Sequence, residues 1–86
     1  MIEEKVIVKW RAGLHARRAV DLVNVANKFQ ANILIKKDDI EADAKSIINL
    51  MTLEASYKTS LIIIANGVDE NNAVTAIIEL FNNIEE

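Results

Sequence analysis

The chain contains no cysteine, which excludes disulfides, thiolate nucleophiles and cysteine-ligated zinc. A single histidine, His15, is too little for a conventional transition-metal site, so no metal or cofactor is expected. Proline is absent and glycine occurs twice, so most element boundaries must be read from periodicity rather than from breaker residues. The longest apolar run, Leu61-Ile62-Ile63-Ile64-Ala65, is far too short to span a bilayer. The start, Met1-Ile2-Glu3-Glu4-Lys5, has neither a basic segment leading into an apolar core nor a small-residue cleavage site. A soluble, cytoplasmic protein without membrane insertion is therefore the expectation.

What remains is ordinary globular material. The chain has 86 residues, of which 51% are hydrophobic and 27% charged, which fits one folded domain over residues 1–86 and not disorder. The net charge of −3 is unevenly spread. Residues 1–30 hold six basic and three acidic side chains, whereas residues 31–86 hold four basic and ten acidic. Arg11, Arg17 and Arg18 cluster around His15. A small cationic spot on an acidic protein suits a compact anion better than a nucleic-acid backbone.

Val6, Val8 and Trp10 alternate with Lys5, Ile7 and Lys9, which predicts a strand near residues 2–9, and Gly13 marks the break after it. From Ala16 to Phe29 the apolar residues Ala19, Leu22, Val23, Ala26 and Phe29 recur at helical spacing, opposite Arg17, Asp21, Asn24 and Lys28. Residues 32–36 and 40–43 predict two strands joined by the polar turn Lys37-Asp38-Asp39. A short helix is expected from Ser46, its N-cap, to Leu53, and a central strand from Ser60 to Ala65. Asp69 is placed to cap a last helix with core face Ala73, Ile77, Leu80, Phe81 and Ile84. The order β-α-β-β-α-β-α predicts an α+β, two-layer fold with helices covering one face of a four-stranded sheet.

The segment Gly13-Leu14-His15-Ala16-Arg17-Arg18-Ala19 holds the reactive groups. A helix starting near Ala16 directs its unsatisfied N–H groups and positive dipole end toward the His15 ring, an arrangement that binds anions. A neutral imidazole nitrogen there can attack a phosphoryl donor, and amides and an arginine fork then hold the product. The alternative is a loop or capping histidine without chemistry, and the residue types alone leave both open.

Ser46 is sufficiently explained as an N-cap. Its helix has more apolar side chains than a core stripe needs. Leu50, Ile47 and Leu53 are expected to face the sheet, with Ile48 and Met51 turning toward solvent. The five either form an adaptable docking patch or all belong to the core.

Three segments in register resemble one family: Gly13-Leu14-His15-Ala16-Arg17 with Ala19, then Ala44-Lys45-Ser46-Ile47-Ile48, then Ala65-Asn66-Gly67-Val68-Asp69-Glu70. Together they are similar to HPr, the histidine-containing phosphocarrier of the bacterial phosphoenolpyruvate-dependent sugar phosphotransferase system. The resemblance covers the whole chain. It implies an open-faced sandwich with an antiparallel sheet of order 1-4-2-3 and three helices on one face. It implies that His15 is phosphorylated on Nδ1 by Enzyme I and passes the group to IIA domains of sugar permeases, with Arg17 as the active-centre arginine and Arg18 as an accessory cation. It also implies regulatory phosphorylation of Ser46 by HPr kinase/phosphorylase and docking through the second helix, at Ile47, Ile48 and Met51. A carrier of this kind is neither an enzyme nor in need of a cofactor, and a monomer is the simplest expectation. Two related roles stay open. One is a regulatory paralogue acting through phosphorylated Ser46 on a catabolite-control transcription regulator, and the other is a carrier of a nitrogen-linked branch.

The sequence departs from the family pattern at four places. Arg18 stands where the motif has proline, Asn49 and Glu54 stand where glycine is common, and Trp10 is unusually bulky for its position. Arg18 is expected to add a cation beside the phosphate, so that Arg18→Pro alters transfer rate or phosphohistidine lifetime. Glu54 is expected to oppose the phosphate if the fold brings it close to His15.

Overall fold

The computed structural model describes residues 1–83. Its elements are β1 (Ile2–Ile7), α1 (Ala16–Ala26), β2 (Asn32–Lys37), β3 (Ile40–Asp43), α2 (Ile47–Thr52), β4 (Ser60–Asn66) and α3 (Glu70–Asn82). The sheet order is β1-β4-β2-β3 and all three pairings are antiparallel. The β-branched strand Ser60–Asn66 lies in the middle as its composition demands, with Val6 opposite Leu61 on one side and Ile35 opposite Ile63 on the other.

One sheet face carries the core. Val6, Val8, Ile33, Ile35, Ala42, Leu61, Ile63 and Ala65 are buried against Ala19, Leu22 and Ala26 of α1, Leu50 of α2, and Ala73, Val74, Ile77 and Phe81 of α3. Val23, Phe29 and Leu80 pack on this core while only partly buried. Ile84, expected to extend the core face of α3, lies outside the described residues. The opposite sheet face is open and exposes Ile7 and Ile62. Among the described residues, no helix is long and apolar enough to cross a membrane.

Four expectations are corrected. The first strand stops at Ile7, because beyond it the chain leaves β4: Val8 exchanges backbone hydrogen bonds with Thr59 and Lys58 of the preceding loop instead. Helix α1 stops at Ala26, and Lys28 and Phe29 turn back onto Val25 and Ala26 with shorter-range hydrogen bonds. Lys37 belongs to β2, opposite Ile40, which leaves Asp38 and Asp39 to make the turn. Asp69 occupies the N-cap position of α3 but does not cap it, since its carboxylate accepts the N–H groups of Gln30 and Ala31 at 2.9 Å each. Those bonds, the Gln30 amide first, hold its pKa below the usual carboxylate value. Glu70 meanwhile accepts the Gly67 N–H at 3.0 Å, closing the turn before the helix.

Candidate functional site

The site begins where β1 ends. Gly13 lies in the left-handed region (φ 76°), and a Cβ there would sit 2.6 Å from the Ala55 carbonyl oxygen. No other residue fits this close approach. Next to it, the Leu14 N–H donates to Ala55 O at 2.8 Å and the Leu14 side chain is buried. The loop after α2 therefore braces the loop before α1, a contact that no local pattern in the sequence announces.

His15 is the N-cap of α1. Its backbone is extended (φ −85°, ψ 179°) and its carbonyl accepts the first helical bond, from Ala19 N–H at 2.9 Å. Its Nδ1 accepts the Arg17 N–H at 3.3 Å. An accepting Nδ1 carries a lone pair, so the neutral ring holds its proton on Nε2. The free electron pair thus points at the helix N-terminus. His15 is half-buried and the Arg17 side chain is exposed. A partner surface has access to both.

Arg18 packs inward from the first turn of α1. It is only 5% exposed. Its guanidinium carbon lies 4.9 Å from the centroid of the Trp10 ring, and its Nη1 lies 3.7 Å from the Asp21 carboxylate. Its guanidinium thus meets an aromatic face and a carboxylate, contacts that give the side chain a packing role. Trp10 is buried, stacks on Phe81 with centroids 4.9 Å apart, and donates its indole N–H to Asn83 O at 2.9 Å. The sequence draws attention to Trp10 and Arg18 singly; their contact depends on a chain reversal that spacing does not reveal.

The second candidate residue caps the second helix. Ser46 has extended backbone, and its Oγ accepts the Asn49 N–H at 3.2 Å. The Asn49 side chain in turn accepts the Asp43 N–H at 3.4 Å, a tie to β3 that glycine at this position does not supply. Leu50 and Leu53 are fully buried, while Ile47, Ile48 and Met51 are 40%, 77% and 40% exposed. Ile47 therefore does not face the sheet as expected. The helix leans on Leu50 and Leu53, and at 100° per residue Ile47 falls outside that narrow seat. The three exposed side chains make one apolar face.

Glu54 follows α2 with φ 49°, the left-handed conformation that favours glycine. Its backbone stands beside Ala55, hence next to the Gly13–Leu14 segment, and its side chain is exposed. Lys37 completes the end of α2 by donating Nζ–H bonds to Leu53 O at 3.0 Å and Glu54 O at 3.2 Å.

A half-buried histidine at a helix N-terminus, an arginine two residues on, and this sheet order together describe a phosphoryl-carrying sandwich. The chain matches the family described as PTS HPr component phosphorylation site over residues 2–83, and it belongs to the HPr family of phosphocarriers. It is 41% identical over 83 residues to the phosphocarrier protein HPr of Xylella fastidiosa (strain 9a5c), covering 96% of this chain and 93% of that one. To the HPr-like protein Crh of Bacillus subtilis (strain 168) it is 40% identical over 74 residues, covering 86% and 87%. Among solved structures it superimposes on HPr-C-His from Thermoanaerobacter tengcongensis with a TM-score of 0.92 and 36% identity, covering 95% of this chain and 92% of that one.

Proposed function

We propose that this protein accepts a phosphoryl group from phosphoenolpyruvate-charged Enzyme I on Nδ1 of His15 and delivers it to IIA domains of sugar permeases in the cytoplasm. The observation that carries this reading is the Nδ1 lone pair aimed at the Arg17 N–H, at 3.3 Å, on the open N-terminus of an 11-residue helix. A phosphoryl group on that nitrogen takes the place of the lone pair. Its oxygens then accept from amides of the first turn, with the Arg17 guanidinium as an exposed fork. The nitrogen–phosphorus bond remains reactive, so the group moves on to the next acceptor. Ile47, Ile48 and Met51 serve as the apolar contact for successive partners, with methionine adapting to different surfaces. No cofactor takes part, and the protein acts as a monomeric substrate of its partners.

The test is intact-mass analysis after incubation with phosphoenolpyruvate and purified Enzyme I at non-acidic pH. One acid-labile phosphoryl adduct, absent from His15→Ala, is expected. No adduct, with Enzyme I active on another carrier, rules out this donor and directs the search to the nitrogen-linked branch.

A second reading is favoured by Ser46, whose hydroxyl caps α2 beside exposed apolar side chains, and by the likeness to Crh. Phosphorylation of Ser46 by HPr kinase/phosphorylase puts a dianion at a helix N-terminus, where it is tolerated, and changes the charge of the docking face. The modified protein then engages a catabolite-control transcription regulator. Labelling of wild type no greater than of Ser46→Ala by that kinase removes this reading.

A further inference from the structure

The segment from Trp10 to Arg18 closes on itself twice, once through the backbone and once through side chains. In the backbone, Trp10 O accepts the Gly13 N–H at 2.8 Å, Gly13 O accepts the His15 N–H at 3.0 Å, and His15 O accepts the Ala19 N–H at 2.9 Å. In the side chains, Arg18 returns from the first turn of α1 to lie over the Trp10 ring, with Asp21 beside it. Trp10 itself is anchored by Phe81 and by Asn83 O at the far end of α3. His15 sits in the middle of this closed path.

The two most unusual side chains near the site thus make one contact, and it spans the reactive histidine. Proline in a first helical turn presets φ near −65° through its ring. Arginine there leaves the backbone free, so the same rigidity has to come from tertiary packing.

We propose that Trp10 and Arg18 are a positioning pair for His15. Their stack fixes the first turn of α1 relative to the core, and so fixes the Arg17 N–H against Nδ1 and the amides that cradle a phosphoryl group there. The pair rests on the reading of His15 as the phosphoryl acceptor. It acts through geometry, in contrast to a cation that touches the phosphate.

That contrast decides the experiment. Wild type, Arg18→Ala, Arg18→Pro, Trp10→Leu and the Arg18→Ala/Trp10→Leu double variant are loaded with phosphoenolpyruvate and Enzyme I, freed of donor, and followed by intact mass. For a positioning pair, Arg18→Ala and Trp10→Leu each shorten the phosphohistidine half-life about fivefold, and the double variant about as much as either single one. Arg18→Pro stays within about twofold of wild type, because the ring restores the preset backbone. This replaces the expectation that Arg18→Pro alters lifetime by removing a nearby cation. Equal loss in Arg18→Ala and Arg18→Pro returns Arg18 to that cation role and overturns the pair. Unchanged half-lives in folded variants also overturn it.

Hydrogen exchange of the Arg17 amide in unphosphorylated protein gives an arm independent of Enzyme I. Exchange about fivefold faster in Arg18→Ala, and not in Arg18→Pro, supports the pair. Identical exchange in all variants sinks it, whatever becomes of the carrier reading. If Trp10→Leu does not fold, Trp10→Phe is used with the opposite expectation. It keeps a ring face for Arg18 and loses only the bond to Asn83, so its half-life stays within about twofold of wild type, and a loss of about fivefold overturns the stack as the positioning contact. Failure of wild type itself to be labelled rules out this donor, and the exchange arm alone then judges the contact.

Discussion

The two candidate phosphorylation sites are both helix N-caps, and the comparison between them is instructive because their backbones are so alike. His15 and Ser46 each have extended backbone, each precedes a helix, and each side chain accepts one backbone N–H, at 3.3 and 3.2 Å. The differences lie in the acceptor atom and the surroundings. His15 presents a ring nitrogen, whose phosphoryl bond is readily transferred, with an exposed arginine two residues on. Ser46 presents a hydroxyl, whose ester is stable, and its neighbours Ile47 and Ile48 are apolar and exposed. Under the proposed function, one local geometry serves a transfer chemistry at one site and a lasting mark at the other. The anion-binding property belongs to the helix end, while the fate of the phosphoryl group belongs to the side-chain atom.

Substitutions separate the two caps, beginning with an all-or-none effect. His15→Ala abolishes the acid-labile adduct formed with Enzyme I while Ser46→Ala leaves it, as read by intact mass. Leu50→Ala comes next. A six-residue helix is too short to hold itself together, and α2 relies on Leu50 and Leu53 for its seat. The substitution is expected to cost about 3 kcal/mol of stability in chemical denaturation. It loosens the Ser46 cap and the docking face far more than the His15 segment.

Arg17→Ala tests the charge that distinguishes the two caps. Transfer from Enzyme I should slow by roughly tenfold or more in rapid-quench assays, with kinase labelling of Ser46 unaffected. Equal slowing of both reactions points to a general fold defect. The caps themselves differ less. Ser46→Ala should destabilise the protein by about 1 kcal/mol. His15→Ala should cost less, because the longer α1 is already held by Ala19, Leu22 and Ala26.

The smallest expected effect concerns Asp69, the third residue at an N-cap position and the one whose side chain serves another segment. Its carboxyl pKa is lowered in the folded state by the Gln30 N–H first and the Ala31 N–H as well. A depressed folded-state pKa contributes stability above the unfolded value of 3.8, and that stability is lost as pH falls through the folded value. Asp69→Asn should therefore flatten the acid side of the stability profile slightly and leave the plateau near neutrality little steeper or shallower. A pH series of denaturation midpoints measures it, and an unchanged acid limb means that these bonds give no pH-dependent stability.

Much of this molecule is legible in its sequence because the governing signals are local. Alternation around Val6 and Val8, the helical spacing of Ala19, Leu22 and Ala26, and the β-branched run at residues 60–65 each report which side of an element meets the core. The N-cap role of Ser46 and the place of His15 before a helix follow from the same near-neighbour rules. Local signals thus give the order of elements, the core faces of the strands and of α1, the family and the two residues that lie at helix starts. The tertiary structure decided what those side chains meet. Arg18 lies over Trp10, Asp69 serves Gln30 and Ala31 in preference to its own helix, and Ile47 joins the exposed face of α2. For Arg18 and Asp69 the partner lies around a chain reversal or many residues away, and for Ile47 the seat of α2 on Leu50 and Leu53 leaves it outside; such arrangements are set by how the layers pack, which spacing along the chain does not encode.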